Sequence, residues 1–169
     1  LMVRYALTGT SGTGKTSISK LLDLNIIALS DYYKESSEGK TKSGEWIIDI
    51  DKIKKNVLIT EDSILEGHFS HKFDNIDKII VLRCDPKVLV KRLSERGYSK
   101  EKVRENLEAE AIGTIYSESL ELLGAKDVVQ LDTSSNKAPE CAQILREYMN
   151  GNIKLEEQID YSERILDWY

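Results

Sequence analysis

The sequence is poor in cysteine, has no long apolar run and carries no excess of positive charge, and each scarcity excludes a class of protein. Its two cysteines, Cys84 and Cys141, form neither a CxxC pair nor a disulfide framework, which argues against a thiolate zinc site and for a reducing, cytoplasmic setting. No apolar stretch approaches the roughly 18 residues of a membrane span, and the opening LMVRYALTGT passes directly into a predicted strand without a signal-peptide pattern. No membrane association is expected. Lys and Arg number 24 against 29 Asp and Glu, a net charge of -5, whereas binding along a nucleic-acid backbone would want a broad basic surface. Direct, sequence-specific nucleic-acid contact is therefore not expected; a basic protein partner suits the charge better.

What is present fits one globular domain of 169 residues, with 40% hydrophobic and 31% charged side chains and no internal repeat or low-complexity segment. Met2 to Leu7 reads as a strand, followed by a Gly-rich turn and by SISKLL, where Ile18, Leu21 and Leu22 recur at helical spacing. Asn25 to Leu29 predicts a second strand, and Ser30 to Glu45 is polar, weakly patterned and expected to be mobile. A short helix near Asp51 to Asn56 precedes β-rich pieces at Val57 to Ile59 and Ser63 to Leu65, and Lys78 to Leu82 is a buried strand. Pro86 opens a helix that Gly97 ends, and Ser99 starts a long one reaching about Leu123. Asp127 to Leu131 and Pro139 to Met149 supply a last strand and helix. Strands that read as continuous apolar runs between helices predict an α/β fold with a parallel sheet covered on both faces.

Residues 9–16, GTSGTGKT, match G-x-x-x-x-G-K-[ST] between a predicted strand and a predicted helix. Gly9, Gly12 and Gly14, with Thr13 between them, allow backbone angles that turn successive N–H groups toward phosphate oxygens. The helix start adds its positive end. Lys15 is expected on the β- and γ-phosphates of ATP, Thr16 on magnesium and Ser17 near an α-phosphate oxygen. His68 and His71 spell H-x-x-H, but no third ligand for zinc is apparent.

Four stretches together, GTSGTGKTSISK at 9–20, ILEGHFSHKF at 64–73, IIVLRCDPKVLVKRLSERGYSKEKVRENLEAE at 79–110 and SSNKAPE at 134–140, resemble the adenylate kinase isoenzyme 6 family. The LxxRGYxxxKxxxN core from Leu93 to Asn106 is the most specific. The resemblance implies a three-layer, nucleoside-monophosphate-kinase type of P-loop fold with a five-stranded parallel sheet, an AMP-binding segment at about 28–49 and a short lid at about 95–105. It makes Glu66 the acid that orients the water shell of magnesium; the alternative is an ordinary capping or surface acid. It gives His68 a part in positioning water or in relaying to a partner, with a structural histidine as the alternative.

Arg96 matches the lid arginine that contacts the nucleotide. Arg92 shares its helix face, although a surface arginine paired with Glu95 or Asp85 would explain it as well. Lys137 lies where family members contact adenine, or else in a polar turn. Tyr32 and Tyr33, beside Asp31, open the AMP segment, which matches the family least. The implied activity is phosphoryl transfer from Mg-ATP to AMP. The implied alternatives are an ATP-driven factor in small ribosomal subunit maturation, partnered by a small-subunit ribosomal protein of the S11 type, and a kinase for another small acceptor. The tail from Lys154 to Tyr169 is expected to pack as a terminal helix or to bind a partner.

Overall fold

The computed structural model describes residues 3–42, 44–60 and 62–168; Met2 of the first predicted strand and Tyr169 of the tail lie outside them. The elements in chain order are β1 (Tyr5–Gly9), α1 (Lys15–Ser19), β2 (Asn25–Ala28), α2 (Tyr33–Ser36), β3 (Ser37–Lys40), β4 (Trp46–Ile48), α3 (Ile50–Asn56) and β5 (Ser63–Glu66). There follow β6 (Lys78–Arg83), α4 (Pro86–Glu95), α5 (Lys100–Ile112), α6 (Thr114–Leu123), β7 (Val128–Asp132) and α7 (Ala138–Met149). Five strands form one parallel sheet in the order β2-β5-β1-β6-β7.

Strand alternation decides which helices cover which face. Tyr5 and Leu7 of β1, Ile64 of β5, Ile80 and Leu82 of β6 and Leu131 of β7 pack with Ile18 of α1 and Ala142 and Leu145 of α7. Their neighbours Ala6, Leu65, Ile79, Val81 and Val128 pack on the opposite side with Ile53 of α3 and with Ile115 and Leu120 of α6. Both faces are thus buried, which is why the strands read as unbroken apolar runs. A third cluster, Cys84, Leu89, Leu93 and Leu107, joins α4 to α5. Central β1 has β5 on one side and β6 on the other, with Leu7 in register with Glu66 and Gly9 with Leu82. The strand order reverses here, so the loop after β1 opens into the crevice where open α/β sheets bind ligands.

Four local expectations change. The weakly patterned stretch after β2 carries regular structure among its described residues: a 3-10 turn, Leu29–Tyr32, leads to α2, and β3 and β4 pair antiparallel as a small hairpin. Val57 to Ile59 is not a strand; Val57 caps α3 and its N–H returns to the Ile53 carbonyl. The helix from Ser99 to Leu123 is two helices, because Gly113 takes a left-handed conformation (φ 68°) that ends α5 and opens α6. Helix α1 stops at Ser19, leaving Leu21 exposed.

The tail packs on the domain by polar anchors, by Leu155 against the α1–α7 side of the core and by the Trp168 ring, rather than by an apolar helical stripe. The Tyr161 hydroxyl donates to Asp132, and Arg164 holds Asp85 through two bonds of 2.9 and 2.8 Å. Residues Ser162–Trp168 then form a 3-10 helix that sets Trp168 against the α4–α5 cluster.

Candidate nucleotide site

The loop after β1 is shaped by its own sequence. Gly9 has φ 148°, and a Cβ there would lie 2.7 Å from the Leu82 carbonyl oxygen and 2.8 Å from Thr13 Oγ1, so only glycine fits. Thr13 is buried; its hydroxyl donates to the Thr10 carbonyl at 2.8 Å and its carbonyl accepts from Thr133 at 2.6 Å. Thr13 therefore serves the loop's shape with its side chain.

Lys15 folds back over the loop, its Nζ donating to the carbonyls of Gly9 at 2.8 Å and Thr10 at 3.0 Å. Burial lowers its pKa to about 8, assisted by Arg96 and opposed by Glu66 and Glu110. An anion bound against it would raise that value again. ATP binding is accordingly expected to take up about half a proton per site at pH 8 and nearer one at pH 9, and affinity to fall as pH rises above 8. Calorimetric titration at pH 9 in two buffers of different ionisation enthalpy measures the uptake directly.

Glu66, buried at the end of β5, accepts a hydrogen bond from Thr16 Oγ1 at 3.1 Å. A hydroxyl and a carboxylate side by side at a phosphate loop are the hard oxygen donors that magnesium takes, directly or through water. Among the described residues no group of three or more His, Cys, Asp or Glu is arranged to hold a metal. Phosphate oxygens and water would complete the shell of a cation at Thr16 and Glu66.

Two cavities flank the loop. One, of about 530 Å³, is walled by the loop, by Tyr33 and Trp46 of the 28–49 segment, by His68 and Phe69 after β5, and by Arg96, Tyr98 and Lys102. The other, of about 570 Å³, runs from Ser17 to the turn Ser135, Asn136 and Lys137 before α7. Gly12, Gly14 and Arg96 border both.

The profile of the family described as "AAA domain" matches residues 6–113, from β1 to the end of α5. The chain belongs to this P-loop family. A protein of Thermococcus kodakarensis named "Putative adenylate kinase" is 40% identical over 152 residues, covering 86% of this chain and 82% of that one. A Halobacterium salinarum protein of the same name is 35% identical over 157 residues, covering 89% and 92%. Among solved structures, shikimate kinase from Bacteroides thetaiotaomicron superposes with a TM-score of 0.55 at 18% identity, covering 89% of this chain and 99% of that one, a likeness of fold.

Within this AAA domain the arginines before Gly97 diverge. Arg96 reaches Ser11 Oγ at 3.3 Å at the cavity rim. Arg92 instead turns beneath the loop, donating to the Gly12 carbonyl at 3.3 Å and to the Thr133 carbonyl at 2.7 Å. It ties the loop to the end of β7, and Asp85, a partner considered for it, is taken by Arg164.

The two histidines also separate. His68 has an open edge on the cavity, with Nδ1 3.4 Å from the Tyr33 hydroxyl. The protein packed around it, then the charge of Lys15, brings its pKa down to about 4, so the ring is neutral at neutral pH. His71 is buried, its Nδ1 2.9 Å from Thr8 Oγ1 and its Nε2 3.8 Å from Glu118. The H-x-x-H spacing thus serves two different walls.

The largest feature that sequence reading missed lies under the loop. Glu110 of α5 is buried; Oε1 accepts from Thr10 Oγ1 at 2.8 Å, and Oε2 accepts from Arg83 Nε at 3.0 Å and from the Cys84 N–H at 2.8 Å. Arg83 uses its remaining nitrogens on the Glu110 carbonyl (2.8 Å), Gln130 Oε1 (2.7 Å) and the Ile159 carbonyl of the tail (3.4 Å). The signal was an arginine inside the apolar run IIVLRC. The hydroxyl of Ser11 also meets Tyr98 Oη at 2.9 Å, which binds the loop's outer side to the turn before α5.

Proposed function

We propose that the protein transfers the terminal phosphoryl group of Mg-ATP to AMP. The observation that carries this reading is the pair of cavities meeting at one phosphate loop, with Arg96 on the rim of both: a hydrolase needs one nucleotide space, a transferase two. The archaeal relatives named as adenylate kinases point the same way. ATP lies with its base toward Ser135, Asn136 and Lys137 and its phosphates in the loop, near Ser17 and Lys15. Thr16 and Glu66 hold the cation, which supplies charge neutralisation on the phosphates.

The acceptor enters between the 28–49 segment and the turn at 96–99, which acts as a short lid. Arg96 faces the group in transit, and Arg92 holds the loop in shape from below. Little proton chemistry is required of the protein, because the acceptor phosphate is already an anion and the transition state is loose. Positioning and charge do the work.

The second reading, an ATP-driven assembly factor of the adenylate kinase isoenzyme 6 type acting on a small-subunit ribosomal protein of the S11 type, draws on His68. A neutral imidazole beside Glu66, open to the cavity, suits a water-positioning role. Two unpaired, buried thiols fit the reducing cytoplasm in which either activity would run. Chromatographic quantification of nucleotides after incubation with Mg-ATP, with and without AMP, separates the two. Consumption of AMP mole for mole with ATP, with ADP at twice that amount, is the expected result. ADP and phosphate formed regardless of AMP would replace the kinase reading with the second.

A further inference from the structure

The LxxRGYxxxKxxxN core contains two polar residues that the reading above leaves without work, Lys102 and Asn106. They stand one helical turn apart on the cavity-facing side of α5, where the Asn106 amide donates to the Lys102 carbonyl at 2.7 Å. Both line the 530 Å³ cavity.

Among the described residues the Lys and Arg side chains lining that cavity are Lys15, Arg96 and Lys102. Lys15 is bound into the phosphate loop, and Arg96 stands at the junction with the other cavity. Lys15 and Lys102 line this cavity and not the other, and of those two only Lys102 stands on α5, paired with Glu45 of the 28–49 segment. Its Nζ lies 3.9 Å above the Tyr98 ring and 2.8 Å from Glu45 Oε1, so an ion pair spans the cavity from the β3–β4 hairpin to α5. The ammonium is therefore held in place over an aromatic face, and its anionic partner among the described residues sits on a loop with a side chain that is 42% exposed. A carboxylate more exposed than the cation it pairs with is one that a better anion displaces.

We propose that Lys102 is the cation that binds the phosphate of the acceptor, and that Glu45 occupies it until the acceptor arrives. The ligand class is a phosphate monoester dianion, with Tyr33 and Trp46 on the same cavity wall offering flat surfaces for a base. The inference rests on the kinase reading for the acceptor's identity, but its binding component is separable from turnover.

The test measures AMP binding by calorimetry and, separately, initial rates with AMP or ATP varied, for wild type, Lys102→Met, Lys102→Arg and Glu45→Gln. Thermal unfolding of each variant checks that it is folded. Loss of one charge-assisted contact predicts a rise of roughly ten- to hundredfold in Kd and KM for AMP in Lys102→Met, with KM for ATP unchanged. Lys102→Arg should retain most of the affinity, and Glu45→Gln should bind AMP a few-fold more tightly. Unchanged AMP affinity in Lys102→Met, or a loss falling equally on ATP, overturns the proposal. If wild type binds AMP without phosphorylating it, the kinase reading fails, while this inference still stands or falls on the Kd of Lys102→Met. If wild type binds no AMP, both are overturned.

Discussion

Lys15→Met is expected to lower phosphoryl transfer by at least about a thousandfold while leaving the protein folded. Among the described residues the Lys15 ammonium bonds to the carbonyls of Gly9 and Thr10, and Thr10 lines the cavity, where water can replace the lost donor. Its removal should therefore cost the fold about 1 kcal/mol, the net worth of an ordinary hydrogen bond. In the transfer reaction the same charge would sit against the β- and γ-phosphates in a dry, closed site, where fixed charge acts most strongly. Steady-state rates beside a thermal melt separate these effects. A variant that melts near the wild-type temperature and still transfers phosphate at a tenth of its rate would remove the loop from the chemistry.

Glu110→Ala is expected to destabilise the protein by about 3–5 kcal/mol, a large part of the roughly 5–15 kcal/mol that holds a domain of this size together. The alanine leaves Arg83, whose side chain is 2% exposed, charged and without its carboxylate, and it leaves the Cys84 N–H and the Thr10 hydroxyl without acceptors. Burial raises the Glu110 pKa, with the Arg83 guanidinium opposing the shift. With three donors on its two oxygens, the carboxylate form is the one the site is built for. Glu110→Gln keeps an acceptor of nearly the same shape and should lose less than Ala. Urea unfolding of the three proteins gives the differences, and a loss below 1 kcal/mol in the alanine variant would mean that the pair contributes nothing to the fold. A variant that remains folded should also bind ATP more weakly, because Thr10 belongs to the phosphate loop.

The sheet and the phosphate loop were legible because each leaves a local mark, whereas Glu66 was pointed to only by the family resemblance. Buried parallel strands are apolar runs, a phosphate loop needs glycines at fixed offsets, and Gly97 and Ser99 punctuate their helices. What was not legible depends on partners far along the chain. Arg83 and Glu110 carry the types usually found in solvent, and only their meeting across 27 residues turns them into a buried pair. Arg92 and Arg96 share a helical spacing, yet α4 ends at Glu95, between the two, so Arg92 within the helix turns to Gly12 and Arg96 at its cap reaches Ser11. Gly113 sat inside a long helical pattern that a glycine is able to join, and the left-handed turn that it adopts is set by the packing of α6 on the sheet. The small hairpin pairs a polar strand, β3 (SEGK), with a three-residue apolar one, β4 (WII); the first has little strand preference and the second is too short to show a pattern.

The hydrogen bond from Thr10 to Glu110 joins residues 100 positions apart, and the Arg83 bond to the Ile159 carbonyl comes later still. During synthesis at about 5–20 residues per second, the loop sequence thus emerges some 5–20 s before the residue that braces it. A nascent chain displays GTSGTGKT well before the site acquires its support, which comes only when α5 has left the ribosome, and Arg83 gains its last acceptor only as residue 159 follows. Nucleotide competence therefore waits for residues far downstream of the motif, and a chain stalled before α5 carries the phosphate motif without the brace that holds its geometry.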